Sequence, residues 1–350
     1  MERFESNLVI FRDCIYKSNK IYFFDAKNVI PMSLDLDTEQ CVILPIANRE
    51  RFRGNRFDLE VEWGNCLYAL EITGEYMCQY QLETGHIRYL KIDCNFRTDG
   101  NFALLNAYKS CIYIFDRFGG ATVYDMETEK IDKIQCCIEN LEIITGCRYK
   151  NIYFLFSKNG KEVIEFDTIS RKWKCREDIK LSIKNIVHAV SDETYVYILS
   201  ENGMIAIWDM KKNVKLIHSA AEYYKTERAA YRICLTKNSF VILPSLERDI
   251  LSINRQTHNV SKVENYPEDF GYDETKKQWV KYVGYCESST DYFFACRTSK
   301  YILKISKVNG EIAWIRSGID IEEQFRYEIE NEVMYEKKEY LQWMIDRLLE

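Results

Sequence analysis

Proline is scarce in this sequence, with 4 residues in 350, and no apolar run is long enough to cross a bilayer. The longest, such as Ile152-Tyr153-Phe154-Leu155-Phe156, stop after a few residues. With 47% apolar and 29% charged residues, the composition excludes a collagen, a disulfide knot and a wholly disordered chain. A basic excess is also missing. The 48 Lys and Arg against 54 Asp and Glu leave −6, the wrong sign for bulk nucleic-acid binding.

Chemistry-bearing spacings are missing too. The 13 cysteines include one adjacent pair, Cys136-Cys137, and no C-x-x-C, so neither a zinc knuckle nor a dithiol redox motif is present. Most cysteines sit inside apolar runs, where a thiol behaves as a small hydrophobe and implies a reducing compartment. His86, His188, His218 and His258 have no H-E-x-x-H or related spacing. There is no G-x-S-x-G, P-loop or G-x-G-x-x-G. Asp35 and Asp37 lack an EF-hand context and read as a solvated turn. The expectation is no cofactor and no metal. Met1 to Glu5 carries acids and opens no long apolar stretch, so no signal peptide is visible and a cytoplasmic protein is expected.

What the sequence does have is aromatic strand-forming residues, 25 Tyr and 18 Phe, arranged in a repeat. Short apolar runs centre on Tyr22, Tyr68, Tyr113, Tyr153, Tyr197, Val241 and Phe293, at spacings of 46, 45, 40, 44, 44 and 52. Each is followed 12 to 14 residues later by a polar anchor: Asp35, Gln81, Asp125, Asp167, Asp209, Asn254 or Ser306. The residue before each anchor, and the one three before it, is mostly apolar. The position between them is more polar, as on the two faces of a half-buried strand. Turns such as Asp37-Thr38, Glu83-Thr84-Gly85 and Asn309-Gly310 follow, where short polar side chains bond backbone and Gly tolerates positive φ. A further apolar stretch precedes each centre, so each unit of about 44 residues supplies four strands. Two stacked β-sandwiches are the rival architecture, but they do not require seven repeats of one period.

The repeat resembles the kelch-like and WD40-like β-propellers over residues 7 to 317. Val163 to Trp173 resembles the end of a kelch unit, Ile207-Trp208-Asp209 a WD strand end, and Asn309 to Trp314 the turn of quinoprotein-type repeats. The kelch double glycine has a counterpart only in Gly119-Gly120. The expected fold is all-β, a seven-bladed β-propeller of four-stranded antiparallel blades spanning 1–317. Phe4 to Phe11 either supply a strand to the last blade or begin the first.

Residues 318–350 differ. Asp320 suits an N-cap, and Ile321, Phe325 and Ile329, then Leu341, Met344, Ile345 and Leu348, recur with helical period. From Asp320 to Glu350 there are ten acids and four bases, so this segment holds the whole net charge of −6. The expectation is an amphipathic acidic helix or two, docked on the edge of its own propeller or used for self-association or a partner.

A propeller implies function through the loops around its opening. The stretch Arg49-Glu50-Arg51-Phe52-Arg53-Gly54-Asn55-Arg56-Phe57 connects the first unit to the second. Other inter-unit segments carry Arg97, then Tyr223, Tyr224, Lys225 and Arg228, then Lys276, Lys277, Trp279 and Lys281. Guanidinium forks suit carboxylate or phosphate, so Arg49, Arg51, Arg53, Arg56, Arg97, Arg228 and Trp279 are the candidate ligand contacts. The leading reading is a non-enzymatic binding module for a protein, an acidic peptide or another anionic ligand, without nucleic acid or membrane. The alternative is a propeller enzyme with a site at the central channel: a hydrolase, a lyase or a quinoprotein-like oxidoreductase.

Overall fold

Runs of Tyr, Phe, Ile and Val broken by short polar turns pair, in the computed structural model, into seven antiparallel four-stranded sheets. The structure describes residues 14–24, 31–48, 57–71, 75–92, 102–136, 138, 141–224, 229–245, 249–268, 270, 282–296, 299 and 301–317.

Blade 1 holds β1 (Ile15–Lys17), β2 (Lys20–Phe24), β3 (Pro31–Asp35) and β4 (Cys41–Ile43). Blade 2 holds β5 (Phe57–Trp63), β6 (Cys66–Glu71), β7 (Tyr76–Gln81) and β8 (Ile87–Lys91). Blade 3 holds β9 (Phe102–Tyr108), β10 (Cys111–Asp116), β11 (Gly120–Asp125) and β12 (Lys130–Gln135). Blade 4 holds β13 (Ile143–Tyr149), β14 (Ile152–Ser157), β15 (Val163–Asp167) and β16 (Lys172–Cys175). Blade 5 holds β17 (Ile186–Ser191), β18 (Val196–Ser200), β19 (Ile205–Trp208) and β20 (Val214–Ile217). Blade 6 holds β21 (Ala230–Leu235), β22 (Ser239–Pro244), β23 (Leu251–Asn254) and β24 (Val260–Lys262). Blade 7 holds β25 (Tyr282–Glu287), β26 (Asp291–Cys296), β27 (Tyr301–Ser306) and β28 (Ile312–Arg316). The chain is a seven-bladed β-propeller.

Within each blade the strands pair in chain order. First strands of neighbouring blades touch, as β13 does β17, β17 does β21 and β25 does β1, so they line the middle and the ring closes. Every blade is built from consecutive strands. Among the described residues no strand is exchanged between blades 7 and 1, and Phe4 to Phe11 lie outside the described residues. Antiparallel order puts the second-to-third turns and the blade-to-blade links on one face, called here the link face. The first-to-second and third-to-fourth turns occupy the other face.

The two sequence columns are strand partners. Tyr22, Tyr68, Tyr113, Tyr197, Val241 and Phe293 each pair with the residue two before the anchor, for example Tyr68 with Gln79. In blade 4 the partner of that residue, Glu165, is Phe154 rather than Tyr153. Six of the seven anchors accept backbone N–H groups of their turns, while Gln81 accepts the Thr84 hydroxyl. Asp167 Oδ1 accepts N–H bonds from Ile169 (2.9 Å) and Ser170 (2.7 Å), and Asp125 and Asn254 do the same two and three residues on. Asp35 also does so, which confirms a turn-capping aspartate there. Four residues after six of the anchors stands a residue of positive φ: Glu39, Gly85, Glu129, Arg171, His258 and Gly310. This is a recurring hairpin built round a type I turn.

One apolar cluster fills each junction between adjacent blades. Because blades are radial, both faces of a strand meet a neighbour. The more polar column, expected to face solvent, is therefore partly or fully covered, with Ser33 at 2% exposure. One element was not foreseen: α1 (Ser219–Tyr223), a single turn in the link between blades 5 and 6. The expected C-terminal helix of residues 318–350 lies outside the described residues.

Candidate functional site

On the link face, second-to-third turns of three blades share one construction. Asp116, Ser157 and Ser200 each bond backbone N–H groups two to five residues ahead. Gly119, Gly160 and Gly203 stand three residues after them with φ of 85°, 71° and 91°. These rigid turns bracket the links. Between blades 4 and 5 they enclose a groove of about 780 Å³. Its walls are the blade 4 turn (Asn159 to Lys161), the link residues 177–185 and the blade 5 turn (Glu201, Asn202).

The link is held from below. Ile179, Leu181 and Ile183 are buried in the blade 4–5 core, while Lys180, Ser182 and Lys184 between them are exposed. Alternating burial is what an extended segment lying on an apolar floor produces. Its start is pinned by Arg176, which donates to Glu165 (2.5 Å), to Asp178 (2.9 and 3.1 Å) and to the Lys211 carbonyl (3.2 Å). The guanidinium also lies 5.6 Å from the Trp208 ring. These bonds hold the Asp178 carboxyl down at about 2. Gly160 secures the far end, since a Cβ there would lie 1.9 Å from the Ile183 carbonyl oxygen. Asn185 donates to Glu201 at 2.6 Å.

Two features of the groove stay uncommitted. Lys161, Lys180 and Lys184 form no ion pair with any described residue. The backbone groups of residues 180–184 form no hydrogen bond within the described residues, although buried or half-buried backbone is nearly always paired. Ser182 and Asn185 have φ of 55° and 53°, a conformation that non-glycine residues rarely adopt. Glu177 also lines the groove, and Glu201 is engaged by Asn185, so the cationic excess is modest and local.

Other places are less open. On the opposite face, a hollow of about 460 Å³ between blades 5 and 6 contains Arg255. That guanidinium already donates to Asp192 (3.0 Å), the Thr236 carbonyl (3.1 Å) and the Tyr197 hydroxyl, and it lies over the Tyr197 and Phe240 rings. On the inner strands His188 neighbours Arg232. Burial, then that cation, holds the imidazole well below its usual range and so neutral. Arg232 lies 4.5 Å from the Tyr285 ring. His86, His218 and His258 lie in separate turns and a link, and no three His, Cys, Asp or Glu gather as a metal set among the described residues. Eleven cysteines are described, and nine of them are buried. Burial pushes the Cys147 and Cys234 thiols up to about 12, which leaves them protonated and packed.

The residues singled out in the sequence, Arg49, Arg51, Arg53, Arg56, Arg97, Arg228 and Trp279, all lie outside the described residues. Tyr223 and Tyr224 are described, and both hydroxyls donate to Asp249, at 3.0 and 3.2 Å. The lysine groove was missed, yet it had a signal. Ile179-Lys180-Leu181-Ser182-Ile183-Lys184 alternates apolar and polar like a strand, but falls between two units of the repeat.

No family model matches the chain, and no curated protein matches it. The kelch-like and WD40-like resemblance therefore rests on its local motifs. Solved structures share the architecture. Virginiamycin B lyase from Staphylococcus aureus superposes with a TM-score of 0.62 at 9% identity, over 84% of this chain and 95% of that one. YCF48, solved bound to a D1 peptide, gives 0.61 at 10% identity, over 85% of this chain and 92% of that one. PorZ of Porphyromonas gingivalis, a surface component of the type-IX secretion system, gives 0.60 at 11% identity. The match covers 90% of this chain but only 39% of PorZ. At these identities the likeness is one of fold.

Proposed function

We propose that this propeller is a binding module that holds an anionic partner, an acidic protein segment, on its link face in the groove between blades 4 and 5. The observation that carries the reading is the set of three exposed lysines, Lys161, Lys180 and Lys184, around one groove with no described carboxylate paired to them. Ammonium groups set on a turn and on a link pinned to the core attract carboxylates over several ångströms and orient an encounter. The unbonded backbone of residues 180–184 adds donors and acceptors for a main chain laid alongside. Arg49 to Arg56, Arg97, Arg228 and Trp279 occur in other blade-to-blade connections and extend the same reading. A propeller solved with a peptide, as YCF48 was, supports it by analogy of fold.

The test is fluorescence anisotropy with a labelled glutamate-rich peptide and a lysine-rich control. The glutamate peptide is expected to bind and to weaken as salt shortens the screening length from about 10 Å at 0.1 M to about 3 Å at 1 M. Changing Lys161, Lys180 and Lys184 together to Gln is expected to weaken it about ten-fold or more, while the control stays unbound. Equal affinity for the triple variant would remove the groove from the reading. The second reading, an enzyme at the central channel, is favoured by no catalytic cluster among the described residues.

A further inference from the structure

The repeat sets equivalent residues at successive junctions, so one junction can be compared with another. In blade 2, Tyr68, Gln79 and Arg88 are cross-strand partners over β6, β7 and β8. Tyr113, Val123 and Asp132 form the same row in blade 3, and Tyr197, Ile207 and Lys215 form it in blade 5. Paired residues of neighbouring strands share one face of a sheet, so each row runs from a buried tyrosine out to a charged end. That end meets the positive-φ residue of the next blade's third-to-fourth hairpin: Glu129, Arg171 or His258.

Two of these meetings are ion pairs. Arg88 binds Glu129 through two nitrogens, at 2.5 and 2.8 Å, and Arg171 binds Asp132. The third is not. Lys215 Nζ lies 3.4 Å from His258 Nε2, and an ammonium beside an imidazole brings no negative charge. Lys215 forms no ion pair with a described carboxylate. The hollow of about 460 Å³ opens at this place, and Lys215 lines it. The carboxylates around it are engaged elsewhere. Asp209 accepts the Lys211 and Asn213 N–H groups (2.9 and 3.1 Å) and the Asn213 side-chain amide (2.6 Å). Asp192 accepts the Thr194 and Tyr195 N–H groups, the Tyr197 hydroxyl and Arg255.

The walls are largely aromatic. Tyr197 and Phe240 are buried with rings 5.3 Å apart, and the Arg255 guanidinium lies over both. Tyr195 is exposed and meets the Tyr197 ring edge-on at 6.3 Å. Ile207 and Val214 add aliphatic surface. A hollow of this size, with an apolar lining and a few placed cations, has the make-up of a small-molecule site. Guanidinium planes stack on flat rings, and ammonium groups hold carboxylates.

We propose that the hollow between blades 5 and 6 is a second ligand site, for a small aromatic carboxylate. Its carboxylate lies beside Lys215 and His258 and supplies the negative charge that Glu129 and Asp132 supply at the other two junctions. Its ring lies against Tyr195 and the Arg255 plane. The site is on the face opposite the lysine groove and does not depend on the reading of that groove.

Ligand-observed saturation-transfer NMR on the full chain tests it, with phenylacetate as the probe and phenylacetamide as the uncharged control. The acid is expected to bind about ten-fold or more tighter than the amide. Lys215→Gln is expected to abolish that preference and Lys215→Arg to keep it, while Tyr195→Ala weakens acid and amide alike. Both side chains are exposed, so the fold tolerates these changes. The variant with Lys161, Lys180 and Lys184 changed to Gln is expected to bind the acid as the parent chain does. Equal binding of acid and amide, a preference that survives Lys215→Gln, loss of binding in the triple variant, or no binding of either compound would overturn the proposal. The same chemistry ends a peptide with a C-terminal phenylalanine, so acetyl-Gly-Gly-Phe is titrated beside the free acid. Equal or weaker binding by the peptide is expected, and binding about ten-fold tighter would overturn the small-molecule assignment in favour of a chain end.

Discussion

At the junction of blades 4 and 5, the apolar cluster holds Trp208, Phe154 and Phe156, with the Phe154 and Trp208 rings 4.9 Å apart. The link itself joins the cluster through Ile179, Leu181 and Ile183, and Arg176 ties its start to both blades. At the seam of blades 7 and 1 no link crosses. The cluster there includes Cys14, Cys41, Cys286 and Ala295, with one stacked pair, Tyr16 on Phe293, at 5.5 Å. A backbone bond crosses from Cys14 to the Tyr285 carbonyl, at 3.4 Å. The same repeat therefore yields one junction that is stitched by chain and ion pairs as well as packing, and one that is closed chiefly by packing, with Phe23, Met32 and Phe293 among its buried side chains. The uncommitted lysines stand over the stitched junction. A rigid base under a charged groove is what preorganised binding requires.

The comparison predicts a ranking of effects. Trp208→Ala is expected to cost the most, about 3–5 kcal/mol, because it empties a fully buried site that surrounding strands cannot fill. Chemical denaturation measures it, and a loss below about 1 kcal/mol would mean the junction can collapse. Gly160→Ala comes next, at about 2–4 kcal/mol. It combines left-handed strain of about 1–2 kcal/mol with a clash against the Ile183 carbonyl. It should also shift glutamate-peptide affinity, since the link moves. Native-state hydrogen exchange sharpens the contrast without mutation. Amides of β1 and β2 are expected to open before those of β17 and β18. The reverse order would place the weak point elsewhere.

Much of the ring was legible beforehand, for a physical reason. A hairpin that turns on an Asx cap needs Asp, Asn or Ser at one position, so the anchor column is visible even where strand sequences drift. Strand pairing then holds the aromatic column at a nearly constant distance, and the slip at Tyr153 is a one-residue change in that register. Three things were not legible. The link 177–185 has the alternation of a strand but no pairing partner, so its pattern misleads. The helical turn Ser219–Tyr223 is too short to show a period. Coverage of the polar column depends on radial blades, a tertiary property. For the site, the sequence marked the inter-blade connections that carry Arg49 to Arg56, Arg97, Arg228 and Trp279, and these residues lie outside the described ones. The groove lysines were not legible, because sequence marks density of charge and Lys161, Lys180 and Lys184 converge only through folding.

A pH effect follows from the inner strands. The lowered pKa of His188 means that the unfolded chain binds a proton before the folded one does. Stability is therefore complete above the unfolded value of about 6.5 and falls as pH drops from there toward the lower folded value. His188→Gln is expected to flatten that slope in melts taken between pH 7.5 and 5. An unchanged slope would show that another group carries it.

The smallest effects return to the turns and to the two regions compared. In blade 4, beside the stitched junction, Asp167 accepts backbone N–H groups at 2.9 and 2.7 Å and also holds Asn151 and the Ser170 hydroxyl. In blade 7, beside the seam, Ser306 accepts the equivalent groups at 3.3 and 3.5 Å. Shorter bonds to a charged acceptor are stronger than long ones to a hydroxyl. Asp167→Ala is thus expected to cost about 1–2 kcal/mol, and Ser306→Ala about 0.5 kcal/mol or less. The Asp167 carboxyl is held below its usual range by these same bonds, chiefly the Ser170 N–H, so its contribution is present above pH 4 and is lost on acidification. The Ser306 contribution has no such titration. Equal losses in the two variants at neutral pH, or a Ser306→Ala loss that tracks acid, would show that the anchors act through backbone shape and not through the bonds they accept.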